Sequence, residues 1–167
     1  MKIFSTTTPP ARIFYEQKII HALFPKNTPR VRAVRRIPDS QVVEIHMDEV
    51  KVHPALKAYQ DMLIHSEEPK HHWGSREAKR NDGAVLRHHG KILEVGKEMR
   101  GAGIKANFEN NANVSVANPK KPVFIEPQIV NILKLAKYLR KARLTPAKRA
   151  QIQRWLERLT NPTNKQR

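Results

Sequence analysis

The chain has 167 residues, with 32 Lys plus Arg against 15 Asp plus Glu and no Cys, for a formal net charge of +17. Length allows one domain, or two very small ones, and no apolar run approaches the roughly 18–20 residues that span a bilayer. The missing cysteines exclude a disulfide scaffold, a thiolate zinc site and a Cys nucleophile.

Residues 1–15 contain Lys2, Arg12, a Ser-Thr-Thr-Thr run and no acid. That composition is compatible with an organellar targeting leader, with an ordinary N-terminal loop as the alternative. Pro9-Pro10 suits a first helical turn, and Ile13, Ile20 and Phe24 then share a face, which predicts a helix over 10–24 stopped by Pro25. Residues 30–37 and 41–47 read as strands around the turn Pro38-Asp39-Ser40, because Val43, Ile45 and Met47 alternate with Glu44 and His46. Pro54 opens a second predicted helix carrying Leu56, Tyr59 and Leu63, up to His65. A long polar connection follows at 66–83. The stripe Val85, His89, Ile92, Gly96 and Met99 predicts a helix over 84–99. Ile104, Ala106 and Phe108 alternate, as do Ala112, Val114 and Val116, so a second hairpin is expected around Glu109-Asn110-Asn111. After an extended basic link at 118–122, Pro127 is expected to open a helix over 127–142, with Ile129, Ile132, Leu133, Ala136 and Leu139 inward. Thr145-Pro146 is a cap and restart, and the last helix presents Ile152, Trp155, Leu156 and Leu159.

These elements make a small mixed α+β fold with two β-hairpins, four to five helices, a basic C-terminal helical pair and short extended tails. The units are an N-terminal tail (1–9), an α+β body (10–125), a basic helical hairpin (127–160) and a C-terminal tail (161–167).

Charge is unevenly placed. Residues 1–50 hold 8 basic and 5 acidic side chains, 51–100 hold 10 and 7, and 101–167 hold 14 and 3. From Pro127 onward 11 basic residues face Glu157 alone. A one-signed block reads as a polyanion contact, whereas solvated surfaces intersperse both signs. The block supplies Lys134, Lys137, Arg140, Lys141 and Arg143, then Lys148, Arg149, Arg154 and Arg158. It is expected to turn about nine cations outward opposite the apolar stripes, and Lys120 and Lys121 precede it. Phosphate neutralisation by such a face gives salt-sensitive nucleic-acid binding; the alternatives are a lysine-rich solvated face or an anionic membrane surface. Arg30, Arg32, Arg35 and Arg36 form a second cluster, and arginine suits bidentate phosphate contact and base stacking. His71, His72 and Trp73 are candidates for RNA stacking or partner contact.

Adjacent His pairs (His71-His72, His88-His89) rarely chelate one metal through both rings, and no His-Glu-x-x-His spacing occurs. Gly101 and Gly103 are followed by no Gly-Lys-Ser/Thr, so they make no phosphate-binding loop. No nucleophile elbow or carboxylate pair stands out. The reading therefore has no catalytic residues, metal, cofactor or small-molecule substrate.

The basic helices at 127–159, the Arg hairpin at 30–37, the acid-poor N-terminus, the Pro-punctuated links at 118–127 and the absence of Cys together resemble small mitochondrial ribosomal proteins. The resemblance is one of composition and layout. It implies a structural, non-enzymatic subunit of a mitochondrial ribosome in the matrix, held by ribosomal RNA and neighbouring ribosomal proteins. The rival readings are a stand-alone nucleic-acid-binding protein, a ribosome assembly factor, and a metal-dependent enzyme using His71, His72, His88 and His89, with the cytosol as the alternative location.

Overall fold

The structure, a computed structural model, describes residues 2–50, 89–106, 114–115, 121–125 and 127–160. The helix expected from Pro54 to His65, the connection at 66–83, and His71, His72, Trp73, His88, Lys120 and the C-terminal tail lie outside these residues.

Strand β1 (Lys2–Ser5) leads into helix α1 (Pro10–Leu23), with Pro10 at its first position. The helix ends where sequence places the stop. Pro25 cannot continue the ladder, and the buried Thr28 hydroxyl donates to the Phe24 carbonyl at 2.9 Å. Strands β2 (Val31–Arg36) and β3 (Val42–Met47) form the first hairpin, and β1 pairs with the other edge of β3, giving an antiparallel sheet in the order β1-β3-β2. The turn is built from its own residues. Asp39 takes φ +56°, a left-handed conformation that Asp tolerates. Ser40 Oγ donates to the Ile37 carbonyl and accepts from Val42 N–H. A bulge between Val31 and Ala33 breaks the strict alternation of β2, so that Val31 and Val34 turn inward while Arg32 and Arg35 turn out.

Helix α2 (His89–Gly101) buries Ile92, Val95 and Met99. Just beyond its end stands Gly103, whose φ is +76° and whose carbonyl accepts the N–H groups of Val130 and Asn131 at 2.9 and 3.0 Å. Four short strands follow: β4 (Ile104–Lys105), β5 (Val114–Ser115), β6 (Val123–Phe124) and β7 (Gln128–Ile129). They correct two expectations. Strand β5 pairs antiparallel with β6 and β4 with β7, so the expected pairing of β4 with β5 does not occur; the turn expected at Glu109-Asn110-Asn111 lies outside the described residues. The chain at Pro127 also opens no helix. The Pro127 carbonyl accepts from Gln17 Nε2 at 2.9 Å and Ile129 N–H donates to Glu16 Oε1 at 2.5 Å. These bonds from α1 hold 127–129 extended against β4.

Helix α3 (Ile132–Lys141) therefore starts later, where the Asn131 side chain accepts from Lys134 N–H at 2.9 Å as N-cap. Its buried face is rotated from the expected stripe. Leu135 and Leu139 are buried, Ile132 and Ala136 are exposed, and Leu133 is 83% exposed. Helix α4 (Pro146–Thr160) buries Ile152 and Leu156 as expected, with Thr145 Oγ1 accepting from Lys148 N–H at 3.3 Å.

Two apolar clusters hold the described residues together. Ile13 packs on Val31, Val43 and Ile45 of the sheet. Ile19 and Ile20, further along α1, and Phe24 at its C-cap join Ile92, Met99, Ile104, Phe124, Leu135, Leu139, Ile152 and Leu156. Helix α1 thus stands between the sheet and α4, apolar on two sides. Tyr138 stacks on Phe24 and donates to Glu98 Oε1 at 3.1 Å, tying α3 to α1 and α2.

Candidate nucleic-acid interface

Helix α3 owes its surface to the positions left once Leu135, Tyr138 and Leu139 face inward. Residues three and four apart share a helical face, so Lys134, Lys137 and Lys141 form one exposed stripe, with Arg140 and Leu133 beside it. The ten residues of α3 include four cations and no acid. Among the described residues no carboxylate lies within ion-pair distance of any of them; the ion pairs there are Arg32–Asp48, His46–Glu44 and Lys91–Glu94. Arg143, in the link to α4, is also exposed.

Helix α4 divides its cations, which corrects the expectation of a single face of about nine. Arg154 is exposed beside Glu157. Lys148 and Arg149 lie on the inward-turned side, half-buried. Arg149 donates from Nη1 to the Leu139 carbonyl and from Nη2 to the Ala142 carbonyl at 2.9 Å. Those carbonyls belong to the last turn of α3 and its C-cap, where intrahelical partners run out, so Arg149 caps α3 from the neighbouring helix. Arg158 is exposed but engaged: Nη1 donates to the Tyr15 hydroxyl at 2.6 Å, and the guanidinium lies 5.4 Å from the centre of the Tyr15 ring.

The Arg hairpin divides in the same way. Arg30 and Arg35 are exposed. Arg32 pairs with Asp48 at 2.6 Å in a solvent-facing ion pair worth little. Arg36 donates to the Thr6 and Thr8 carbonyls at 3.1 and 3.0 Å and so fastens the segment between β1 and α1. The hairpin arginines lie on the strands packed against Ile13, and the α3 cations on a helix that packs in the other apolar cluster. Lys121 is exposed ahead of β6.

Two concave features accompany these regions, and neither was legible in the spacing of charges. A groove of about 410 Å³ between α3 and α4 is lined by Ala136, Leu139, Arg140, Arg149 and Gln153. An open cleft of about 500 Å³ lies where the sheet meets β7, with Glu16 and Arg12 as the titratable groups in its lining. Burial pushes the Glu16 carboxyl above its ordinary value, against the opposing pull of the Ile129 N–H and Arg12. No cluster of three potential metal ligands occurs among the described residues, and none of their helices is long and apolar enough to cross a membrane. Comparison with protein-family models, with curated proteins and with solved structures finds no match for the chain.

Proposed function

We propose that this protein binds RNA as a structural subunit of a ribonucleoprotein, and specifically ribosomal RNA in a mitochondrial ribosome, with ribosomal proteins as neighbours. The exposed, acid-free cationic surface of α3 is the observation that supports RNA. Four cations without ion-pair partners among the described residues are mutually repulsive unless a polyanion meets them, and phosphates release counterions when they do. Arg30, Arg35, Arg143 and Arg154 extend the same chemistry elsewhere on the surface. The ribosomal and mitochondrial parts of the reading rest on the composition and layout of the chain.

Charge reversal at Lys134, Lys137 and Lys141 tests the site, because these three side chains leave the core and the caps of α3 intact. Binding to ribosomal RNA fragments, measured by fluorescence anisotropy across a salt series, should weaken at least tenfold. The slope of log K against log salt should flatten by about 0.9 for each phosphate that is no longer neutralised. Unchanged affinity and slope would remove α3 as the binding surface. Sedimentation of tagged protein with mature and precursor particles separates a permanent subunit from an assembly factor or a stand-alone binder.

A further inference from the structure

We infer that the groove between α3 and α4 receives one unpaired nucleobase of the bound RNA, an assignment that rests on the RNA-binding reading and deepens it. A site for phosphate alone needs only cations on an open surface, as on the outer face of α3. This groove is different in kind. Its lining combines apolar Leu139 and Ala136, two arginines, Arg140 and Arg149, and one neutral amide, Gln153.

Each part matches a need of an extruded base. Guanidinium planes stack on bases, and RNA-binding proteins read splayed bases by stacking together with hydrogen bonds to the base edge. The plane of Arg149 is fixed in advance, because two terminal nitrogens already bond the Leu139 and Ala142 carbonyls. Holding an arginine flat before the ligand arrives removes most of the rotamer entropy that stacking would otherwise cost. Those two bonds leave the Nε–H and two further N–H groups of Arg149 for the ligand. Gln153, one turn beyond Arg149, offers both a donor and an acceptor to a base edge. Exposed Arg140 stands at the rim, where it meets the phosphate of the same nucleotide. The volume of about 410 Å³ falls in the range of small-ligand pockets. A duplex cannot fill the groove without releasing a base, so the site selects bulges, loops and single strands.

The experiment compares three RNA hairpins, each closed by a non-nucleotide linker in place of a loop, by fluorescence anisotropy with the full chain: fully paired, carrying a one-nucleotide bulge, and carrying the same bulge without its base, the last two being of equal charge. The bulged hairpin should bind about tenfold tighter than the paired one, in keeping with stacking of a single base, and the abasic bulge should lose that gain. Ala136→Met fills the groove from an exposed helical position, and Gln153→Ala removes the amide. Both should abolish the preference while leaving affinity for the paired hairpin and its salt slope unchanged. Equal binding of the bulged and abasic hairpins, or a preference that survives Ala136→Met, overturns the assignment and leaves the RNA-binding reading standing. Failure of all three hairpins to bind at low salt overturns both.

Discussion

Gly103 and Glu16 show how much of this fold rests on single residues. A Cβ at Gly103 would stand 2.3 Å from the Asn131 carbonyl oxygen, at a positive φ that L side chains rarely adopt. That carbonyl also accepts from Leu135 N–H in the first turn of α3, so it cannot easily move aside. Gly103→Ala should therefore destabilise the protein by about 2–4 kcal/mol, from backbone strain plus the collision, as read by urea unfolding. A loss under about 0.5 kcal/mol, the range of an indifferent surface position, would contradict the geometry. Glu16 presents the opposite bargain: its acceptor bond to Ile129 is needed, but its charge is penalised by burial. With a folded pKa above the ordinary 4.5, the folded state keeps a proton that the unfolded chain has released. The resulting stability is fully present below the unfolded pKa and is lost as pH rises through the folded one. Glu16→Gln retains an oxygen for Ile129 N–H and cannot titrate. Denaturation curves from about pH 4 to 8 should show the wild type losing stability relative to the variant as pH rises. A difference that stays constant over that range would show that Glu16 does not titrate as its burial requires.

At the scale of elements, the link between α3 and α4 joins stability to the proposed interface. Arg149 supplies the acceptors at the end of α3 with donors, while Arg154, on the same helix, is solvent-exposed. Both substitutions to Ala remove one positive charge, so comparing them isolates the cap. Arg149→Ala should lower stability by about 1–3 kcal/mol, the cost of partly buried carbonyls left without donors, whereas Arg154→Ala should stay within about 0.5 kcal/mol. Equal effects in thermal or chemical unfolding would mean that the cap contributes nothing. The elements that sequence placed well are those with local punctuation: Pro10 and Pro25 around α1, Asp39 and Ser40 in the first turn, Thr145-Pro146 before α4. Each acts through its own φ or its own side chain, so distance along the chain is irrelevant. The misplaced ones are governed from afar. Whether Gln128 and Ile129 begin a helix or a strand is decided by Glu16 and Gln17, more than a hundred residues away. Two-residue strands also carry no periodicity that could announce their partners.

For the whole molecule, sequence shows where the positive charge accumulates but not which cations are already engaged. Lys134, Lys137 and Lys141 are exposed as their spacing predicts. Arg36, Arg149 and Arg158 carry the same charge in the sequence, yet each donates to a carbonyl or hydroxyl of the protein itself. Leu133, expected on the inward stripe, is exposed for a related reason. The run Ile132-Leu133-Lys134-Leu135 offers apolar groups on two helical faces, and only the later start of α3 at Asn131 determines which face turns inward. The +17 of the chain is thus divided between cations already bonded within the protein and cations left to solvent, and phosphate neutralisation is to be tested on the second group.

The pairing of the first described helix with the last has a temporal consequence. Ile19 and Ile20 share a core with Ile152 and Leu156, and Tyr15 meets Arg158 across 143 residues. During synthesis at about 5–20 residues per second, α1 emerges on the order of ten seconds before the helix that covers it. Until then that core lacks the part of its cover that Ile152 and Leu156 supply. A core shared by helices so far apart in sequence closes only after the later one has been made, because pairings of long separation form last. For a protein this basic, the interval between translation and burial is when a chaperone has most to offer.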